Sequence, residues 1–122
     1  MLNQRQCYGR QSEARAAAYL KKHGYTILRQ NYRTRLGEID IIARDGQTLV
    51  FVEVKARRND RAGSVKSSIT KTKQLRITRL AQYYLKQTGA IGVKVRFDVV
   101  AIKGQDEGIE LIPNAFDAVL PR

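Results

Sequence analysis

The chain has 122 residues, of which 43% are hydrophobic, and both values fit one domain with one core. Its apolar runs are too short for a transmembrane span of about 20 residues, and Met1 to Arg10 lacks the apolar stretch of a signal peptide. Cys7 is the only cysteine, which excludes an internal disulfide and a cysteine-based zinc cluster. We therefore expect residues 1–122 to form a single cytoplasmic domain with no membrane partner.

The charge balance is strongly basic. Twenty-three Lys and Arg residues against eleven Asp and Glu give a formal net charge of +12. On a folded domain this charge produces a positive field, which most often serves a polyanionic partner. The balance predicts a nucleic acid as the partner, and the alternative is a basic protein without that role.

The pattern of apolar residues predicts two helices and five strands. Gly24 and Gly89 each stand in the usual position after the last turn of a helix. Asp45-Gly46 indicates a hairpin turn, because both residues tolerate positive φ. The order αβββαββ predicts an α/β fold with a mixed sheet flanked by helices. The predicted bounds are helix 8–23, strands 25–32, 37–44 and 48–55, helix 70–88, and strands 93–102 and 108–113.

The first helix carries a carboxylate where an apolar side chain is expected. On a helical wheel, Glu13 falls near the middle of the apolar arc that includes Ala16 and Leu20. An acid pointed at the core lowers stability unless it has a partner. One interpretation is an acid favoured by the helix dipole. The other is a carboxylate that reaches over the sheet towards Asp40 and Glu53.

The hairpin places two further acids and a lysine on one face of the sheet. With Asp45-Gly46 as a two-residue turn, Glu38 faces Glu53. Asp40 and Glu53 are then diagonal neighbours, about 7–8 Å apart between backbones. Lys55, two residues beyond Glu53, points to the same face. The pattern predicts two carboxylates that converge on one cation, with a lysine beside it.

Glu53 and Lys55 interrupt a Val-rich strand, so each needs a partner, a metal ion or water. An exposed Glu–Lys pair at a strand end is the alternative interpretation. Oxygen ligands without histidine or cysteine suit Mg²⁺ or Mn²⁺, and such an ion activates water and offsets charge on a phosphate. We predict Glu13, Asp40 and Glu53 as metal ligands and as catalytic residues together with Lys55, which would position the attacking water.

Basic residues follow directly on this strand end, in a loop over residues 56–69 and in the second helix. The loop is interpreted as an arm that binds phosphates at the mouth of the site, and a solvated mobile loop is the alternative. On the second helix Lys73 projects towards the apolar side, from which it can reach the site. The predicted nucleic-acid-binding residues are Arg57, Arg58, Arg61, Lys66, Lys71, Lys73 and Arg76.

Two acids outside this set have open roles. Glu38 is either a second acid beside the metal ligands or a determinant of the hairpin fold. Asp98 shares a strand with Arg96 and is interpreted as a buried polar partner rather than a ligand.

Two segments, GEIDIIARDG at 37–46 and VFVEVKARR at 50–58, resemble the bacterial YraN family of predicted endonucleases. Residues 96–100 and the helix at 9–25 also resemble that family. The family is similar to archaeal Holliday-junction resolvases and to the restriction-endonuclease-like, PD-(D/E)xK fold. The resemblance implies that Asp40 is the motif aspartate, that Glu53 and Lys55 form the E-x-K pair, and that Glu13 is the helix acid. Ile39 stands where the motif name has proline.

The resemblance implies a Mg²⁺- or Mn²⁺-dependent endonuclease that hydrolyses DNA phosphodiester bonds, with branched or junction DNA among the substrates to test, and a homodimer. The alternative is a non-catalytic nucleic-acid-binding module that keeps the nuclease fold. A regulatory protein that acts through a partner is a third hypothesis, on which the sequence is silent.

Overall fold

The structure of the protein is a computed structural model that describes residues 4–57, 69–103 and 108–119. These residues form two helices and a five-stranded mixed sheet, so the predicted mixed α/β class is confirmed. The elements are α1 (Gln4–Lys22), β1 (Thr26–Thr34), β2 (Gly37–Asp45), β3 (Thr48–Arg57), α2 (Lys71–Thr88), β4 (Lys94–Lys103) and β5 (Ile109–Ile112).

The strands lie in the order β1-β2-β3-β4-β5, with β3 and β4 parallel and all other neighbours antiparallel. Two parallel strands need a crossover connection, and α2 lies in the segment between them. Because β2 and β3 are antiparallel, the first half of β2 and the last residues of β3 lie at the same end of the sheet. Asp40, Glu53 and Lys55 all lie at that end.

The second helix begins and ends where its sequence predicts. Thr70 has extended backbone angles, and its hydroxyl accepts a hydrogen bond from the Lys73 backbone N–H at 3.2 Å. Gly89 ends the helix in the left-handed conformation with φ 70°. Among the described residues, no helix has the length and apolar character that crossing a membrane requires.

Each face of the sheet carries its own apolar core, and one helix packs on each. The two helices supply one buried stripe each, as a sheet covered on both sides requires. On the α1 face the buried residues are Ala16, Ala17, Leu20, Tyr25, Ile41, Ala43, Val50, Val52, Val100 and Ile102. On the α2 face they are Tyr32, Ile39, Ile42, Leu49, Phe51, Ile77, Leu80, Ala81, Tyr84 and Phe97.

The predicted turn at Asp45-Gly46 is wrong by one residue. Asp45 still belongs to β2 and pairs with Thr48, so the two-residue loop is Gly46-Gln47, with φ 63° at Gly46. Arg96 accounts for this, because its guanidinium binds the Asp45 carboxylate at 3.0 Å and holds Asp45 in the ladder.

The corrected register moves every partner by two residues, so Phe51 lies opposite Ile42 and not opposite Asp40. The predicted pairing of Glu38 with Glu53 is also wrong. Because side chains alternate with a period of two, a two-residue shift keeps each side chain on its face. The prediction that Asp40, Glu53 and Lys55 share a face does not depend on the error.

The alternation along β2 breaks at Asp40. Regular alternation would put Ile39 and Ile41 on one face, but Ile41 belongs to the core under α1 and Ile39 to the core under α2. On the neighbouring strand, Asn31 lies across from Asp40 and has a left-handed backbone with φ 55°. Regular alternation is not expected beside a residue in that conformation.

Asp98 is fully buried and has a complete set of partners. Its carboxylate accepts hydrogen bonds from the Tyr25 hydroxyl, the Arg96 guanidinium and the Asn114 backbone N–H, each at 2.9 Å. Burial, and then the contact with Asp98, raises the pKa of Tyr25 to about 12. The interpretation of Asp98 as a buried polar partner is confirmed. Asp98, on β4, thus joins the segment between α1 and β1 to the segment after β5.

We expect Asp98→Ala to lower the free energy of unfolding by about 3–5 kcal/mol, because it leaves the Arg96 charge without its buried partner. Asp117→Ala is the matched control, since Asp117 is exposed on the segment after β5, and it should change stability by less than about 0.5 kcal/mol. Urea denaturation of both variants measures the difference. Equal stability of the two would contradict the structural role of Asp98.

Candidate active site

Asp40 lies where the pairing of β2 with β3 ends. The last paired residues are Ile41 and Val52, and the same register continued would place Val54 opposite Ile39. The Val54 backbone N–H instead donates to Asp40 Oδ2 at 2.8 Å. In a continued ladder, a backbone carbonyl of β2 would accept the hydrogen bond from the Val54 N–H. The Asp40 carboxylate accepts it instead, and this bond holds the carboxylate between β2 and β3, where their pairing has ended.

Three carboxylates converge at this opening. One oxygen each of Glu13, Glu38 and Asp40 lies within 4.8 Å of the others. Glu13 comes from α1 and the other two come from β2, and all three residues are partly buried. The structure thus brings Glu13 to Asp40, as the inward position on the first helix predicted. It also brings Glu38 there, whose role the sequence left open.

Burial and the crowding of charge favour the protonated forms of Asp40 and Glu13. Burial, followed by the charge of Glu53, raises the pKa of Asp40 to about 7, although the Val54 N–H opposes the shift. Burial, followed by the charge of Glu38, raises the pKa of Glu13 above its ordinary value. The protein thus holds together carboxylates that repel one another when all are ionised.

Two lysines adjoin the acids. Lys73 Nζ, from α2, lies 2.9 Å from Glu53 Oε1, and the Glu53 side chain is only 11% exposed. Burial and the neighbouring Lys73 lower the pKa of Lys55. Burial alone would lower the pKa of Lys73, but its contacts with Lys55 and Glu53 outweigh burial and raise it. The charge of Glu53 is thus neutralised by Lys73, while Lys55 is the more readily deprotonated lysine.

The three clustered acids fit a hard divalent cation. Two oxygens on opposite sides of a Mg²⁺ ion are about 4.2 Å apart, from a metal–oxygen distance of about 2.1 Å. The acid oxygens lie within 4.8 Å of one another, which is close to that span. A cation would also offset the repulsion that raises the pKa of Asp40. Glu53, predicted as a ligand, lies outside this group of three and is paired with Lys73.

The predicted nucleic-acid-binding residues fall into three groups. Lys71 and Arg76 are exposed on α2, as predicted, whereas Lys73 contacts Glu53 inside the site. Two further exposed arginines, which the sequence did not single out, are Arg33 near the end of β1 and Arg35 in the turn that follows. The other predicted residues, namely the Arg57 side chain, Arg58, Arg61 and Lys66, lie outside the described part of the chain.

Sequence reasoning missed one residue of the site and left another without a role. Asn31 approaches Glu13 and Glu38 from β1, but its left-handed backbone leaves no trace in the polar and apolar pattern. Glu38 had a usable signal, because it is two residues from Asp40 on the same strand.

Comparison with known proteins identifies relatives over nearly the whole chain. Residues 12–102 match a family described as "Uncharacterised protein family UPF0102". A UPF0102 protein of Desulfosudis oleivorans is 62% identical over 98% of each chain. One from Syntrophus aciditrophicus is 50% identical over 93% of this chain and 91% of its own length. One from Desulforapulum autotrophicum is 47% identical over 95% of this chain and 98% of its own length. This is the family that the resemblance to YraN sequences predicted.

The raised pKa of Asp40 makes stability depend on pH. Between about pH 4 and pH 7 the unfolded chain has lost this proton while the folded protein keeps it. Stability therefore falls as the pH rises through that window, and the loss is complete above pH 7. Asp40→Asn cannot ionise and can still accept the Val54 N–H. Without divalent ions, we expect it to exceed the wild type by about 2–4 kcal/mol at pH 8 and to match it near pH 4.

Chemical denaturation at both pH values measures this difference. Glu110→Gln is the control, because Glu110 is an exposed carboxylate on β5, and it should shift stability by less than about 0.5 kcal/mol at either pH. An Asp40→Asn variant that is no more stable than the wild type at pH 8 would argue against the crowding of charge at this site.

Proposed function

The chain belongs to the uncharacterised protein family UPF0102, and from its site we propose that it is a metal-dependent endonuclease that hydrolyses DNA phosphodiester bonds. The observation that carries the proposal is the meeting of Glu13, Glu38 and Asp40 beside Glu53 and Lys55 at one end of the sheet. Carboxylates for a hard cation and a lysine of lowered pKa are what phosphodiester hydrolysis uses.

The architecture supports a restriction-endonuclease-like fold. A mixed sheet carries one helix on each face, and the acids lie where the pairing of β2 and β3 ends. Asp40 on β2, followed by Glu53 and Lys55 on β3, follows the order of the PD-(D/E)xK pattern. We therefore infer that residues 1–122 form one nuclease-like domain.

We propose that Glu13, Glu38 and Asp40, with Glu53 beside them, would hold Mg²⁺ or Mn²⁺. When bound, such an ion lowers the pKa of water and offsets negative charge on the phosphate. The protein supplies fixed positions for the acids. Val54 holds Asp40 through its backbone N–H, and Lys73 holds Glu53 through an ion pair. Little side-chain rearrangement is then needed during the reaction.

Lys55 is proposed to act on the attacking water. Because burial and Lys73 lower its pKa, the Nζ atom of Lys55 is more readily neutral than that of an exposed lysine. A neutral amine accepts a hydrogen bond from water and can take its proton. The water oxygen then bonds to phosphorus, one P–O ester bond breaks, and the departing oxygen takes a proton from solvent.

Basic residues beside the acids suit a phosphate backbone. Arg33 and Arg35 lie at the β1–β2 turn, and the Arg33 side chain is 76% exposed while it approaches Glu38 at 3.4 Å. Arg76 of α2 lies against Gly37, where an added Cβ would be 3.0 Å from Arg76 Cδ. The arginines of the turn and of α2 thus form one basic rim next to the acidic cluster. Phosphate contacts of this kind provide most of the affinity for nucleic acid.

A second candidate is a nucleic-acid-binding module without turnover. The observation in its favour is the Glu53–Lys73 ion pair, which gives a predicted metal ligand a protein partner. The module predicts DNA binding with no cleavage in any divalent ion. The proposed nuclease predicts cleavage that requires one.

We expect the wild type to cleave at least one of four DNA substrates, namely junction, flap, duplex and single strand, with Mg²⁺ or Mn²⁺ and not with EDTA. Asp40→Asn and Lys55→Met should lower the rate at least about 100-fold, because each removes a group that acts on the reacting atoms. A gel assay of nicked products measures the rate.

Two controls make this result specific. Asp117→Asn alters an exposed acid on the segment after β5 and should leave the rate within about twofold. An active control beside inactive site variants excludes a contaminating nuclease. Absence of cleavage on all four substrates with either ion would refute the nuclease proposal, and retained DNA binding would then favour the module.

We expect the double variant Arg33→Ala/Arg35→Ala to weaken duplex DNA binding about tenfold near 0.1 M salt. The slope of log K against log salt should fall by about 2, one for each lost phosphate contact. Arg44→Ala/Lys94→Ala removes the same charge from exposed residues at the far end of the sheet. Fluorescence anisotropy without divalent ions measures both. The same loss in both variants would show a general charge effect and contradict a local rim.

A further inference from the structure

Asn31 has a backbone conformation that is unusual for a residue inside a strand. Its φ is 55°, in the left-handed region, yet it lies within β1. Its neighbours Gln30 and Tyr32 pair with Ile41 and Ile39, so Asn31 lies across from Asp40. In the described part of the chain, Asn114 is the one other non-glycine residue with positive φ. A left-handed residue inside a strand is uncommon and is maintained only where the surrounding structure holds it.

In this conformation the side chain of Asn31 lies between two acids of the site. Its terminal amide reaches Glu13 and Glu38 at once, with one amide atom 2.9 Å from Glu13 Oε1 and 2.9 Å from Glu38 Oε1. We assign the nitrogen to this position, because an oxygen there would repel two ionised carboxylates, whereas a nitrogen donates to both. An amide nitrogen carries two protons, so one hydrogen bond can go to each carboxylate.

We propose that Asn31 is a positioning residue of the cation site. Its amide donates to Glu13 and to Glu38, and it holds these carboxylates from α1 and β2 at the separation that a shared ion requires. The proposal rests on the proposed metal-dependent function, because it concerns the same acids. It adds β1, an edge strand that contributes no acid to the cluster, to the elements that build the site.

An amide suits this role better than a charged donor. Lysine or arginine in place of Asn31 would neutralise the carboxylates and compete with a divalent cation for them. A neutral donor orders the two acids without adding a positive charge that would compete with the cation. Groups that hydrogen-bond to metal ligands commonly affect metal affinity by about 10- to 100-fold when they are removed.

The test compares Asn31→Gly with Asn114→Gly. Glycine adopts positive φ without strain, so both variants keep the backbone conformation, and each loses one asparagine amide. Mn²⁺ binding to the metal-free protein is measured by titration calorimetry, with no dependence on turnover. We expect Asn31→Gly to weaken Mn²⁺ binding about tenfold or more and Asn114→Gly to bind as the wild type does. Wild-type affinity in Asn31→Gly would overturn the proposal, as would an equal loss in both variants.

A second measurement separates the positioning role from the metal function. In the metal-free wild type, the two protons on Asn31 Nδ2 should exchange slowly with water in NMR spectra. One resonance should shift in Glu13→Gln and the other in Glu38→Gln. If the wild type does not bind Mn²⁺ but this pattern is present, the metal function fails and the positioning of Glu13 and Glu38 stands. Fast exchange with no response to either variant would overturn the role of Asn31 whatever Mn²⁺ does.

Discussion

The bond from the Val54 N–H to the Asp40 carboxylate is the interaction on which the rest of the site depends. It stands where the ladder between β2 and β3 ends, so it opens a space between two strands of the sheet and places a carboxylate in it. If the Asp40 carboxylate did not accept this bond, the Val54 N–H would need a backbone carbonyl of β2 as its acceptor. The two strands would then stay paired and leave no space between them. The opening is what allows acids from α1 and β2 to meet beside Glu53 and Lys55.

This arrangement lowers the stability of the metal-free protein, because it holds reactive groups together in a partly buried site. Burial, together with the repulsion between carboxylates, raises the pKa of Asp40 to about 7, and burial near Lys73 lowers the pKa of Lys55. Both shifts mean that the charged forms are held in surroundings that disfavour them. A cation and a phosphate would each relieve part of that cost. Perturbed acids and bases that gather in one place are typical of functional sites.

Features set by the period of a single helix or strand were predictable from the sequence, including the inward position of Glu13 and the side of α2 that carries Lys73. The exact partners across elements were not predictable. The two-residue period of strands predicted that Asp40, Glu53 and Lys55 share a face, and that prediction does not depend on the two-residue error in the register. The turn itself was misplaced, because a guanidinium from β4 holds the end of β2 in the ladder. The left-handed Asn31 and the contact of Lys73 with Glu53 depend on where β1 and α2 lie.

The most direct test of the account is to locate Mn²⁺ by its anomalous scattering in a crystal of the wild-type protein. If these acids share a cation, a peak should lie about 2.1–2.2 Å from a carboxylate oxygen of Asp40, with further ligand oxygens from Glu13 and Glu38. A Mn²⁺ ion bound elsewhere, with Asp40 still held only by Val54, would contradict the assignment of these acids as a cation site. So would a crystal soaked with saturating Mn²⁺ that shows no peak between β2 and β3.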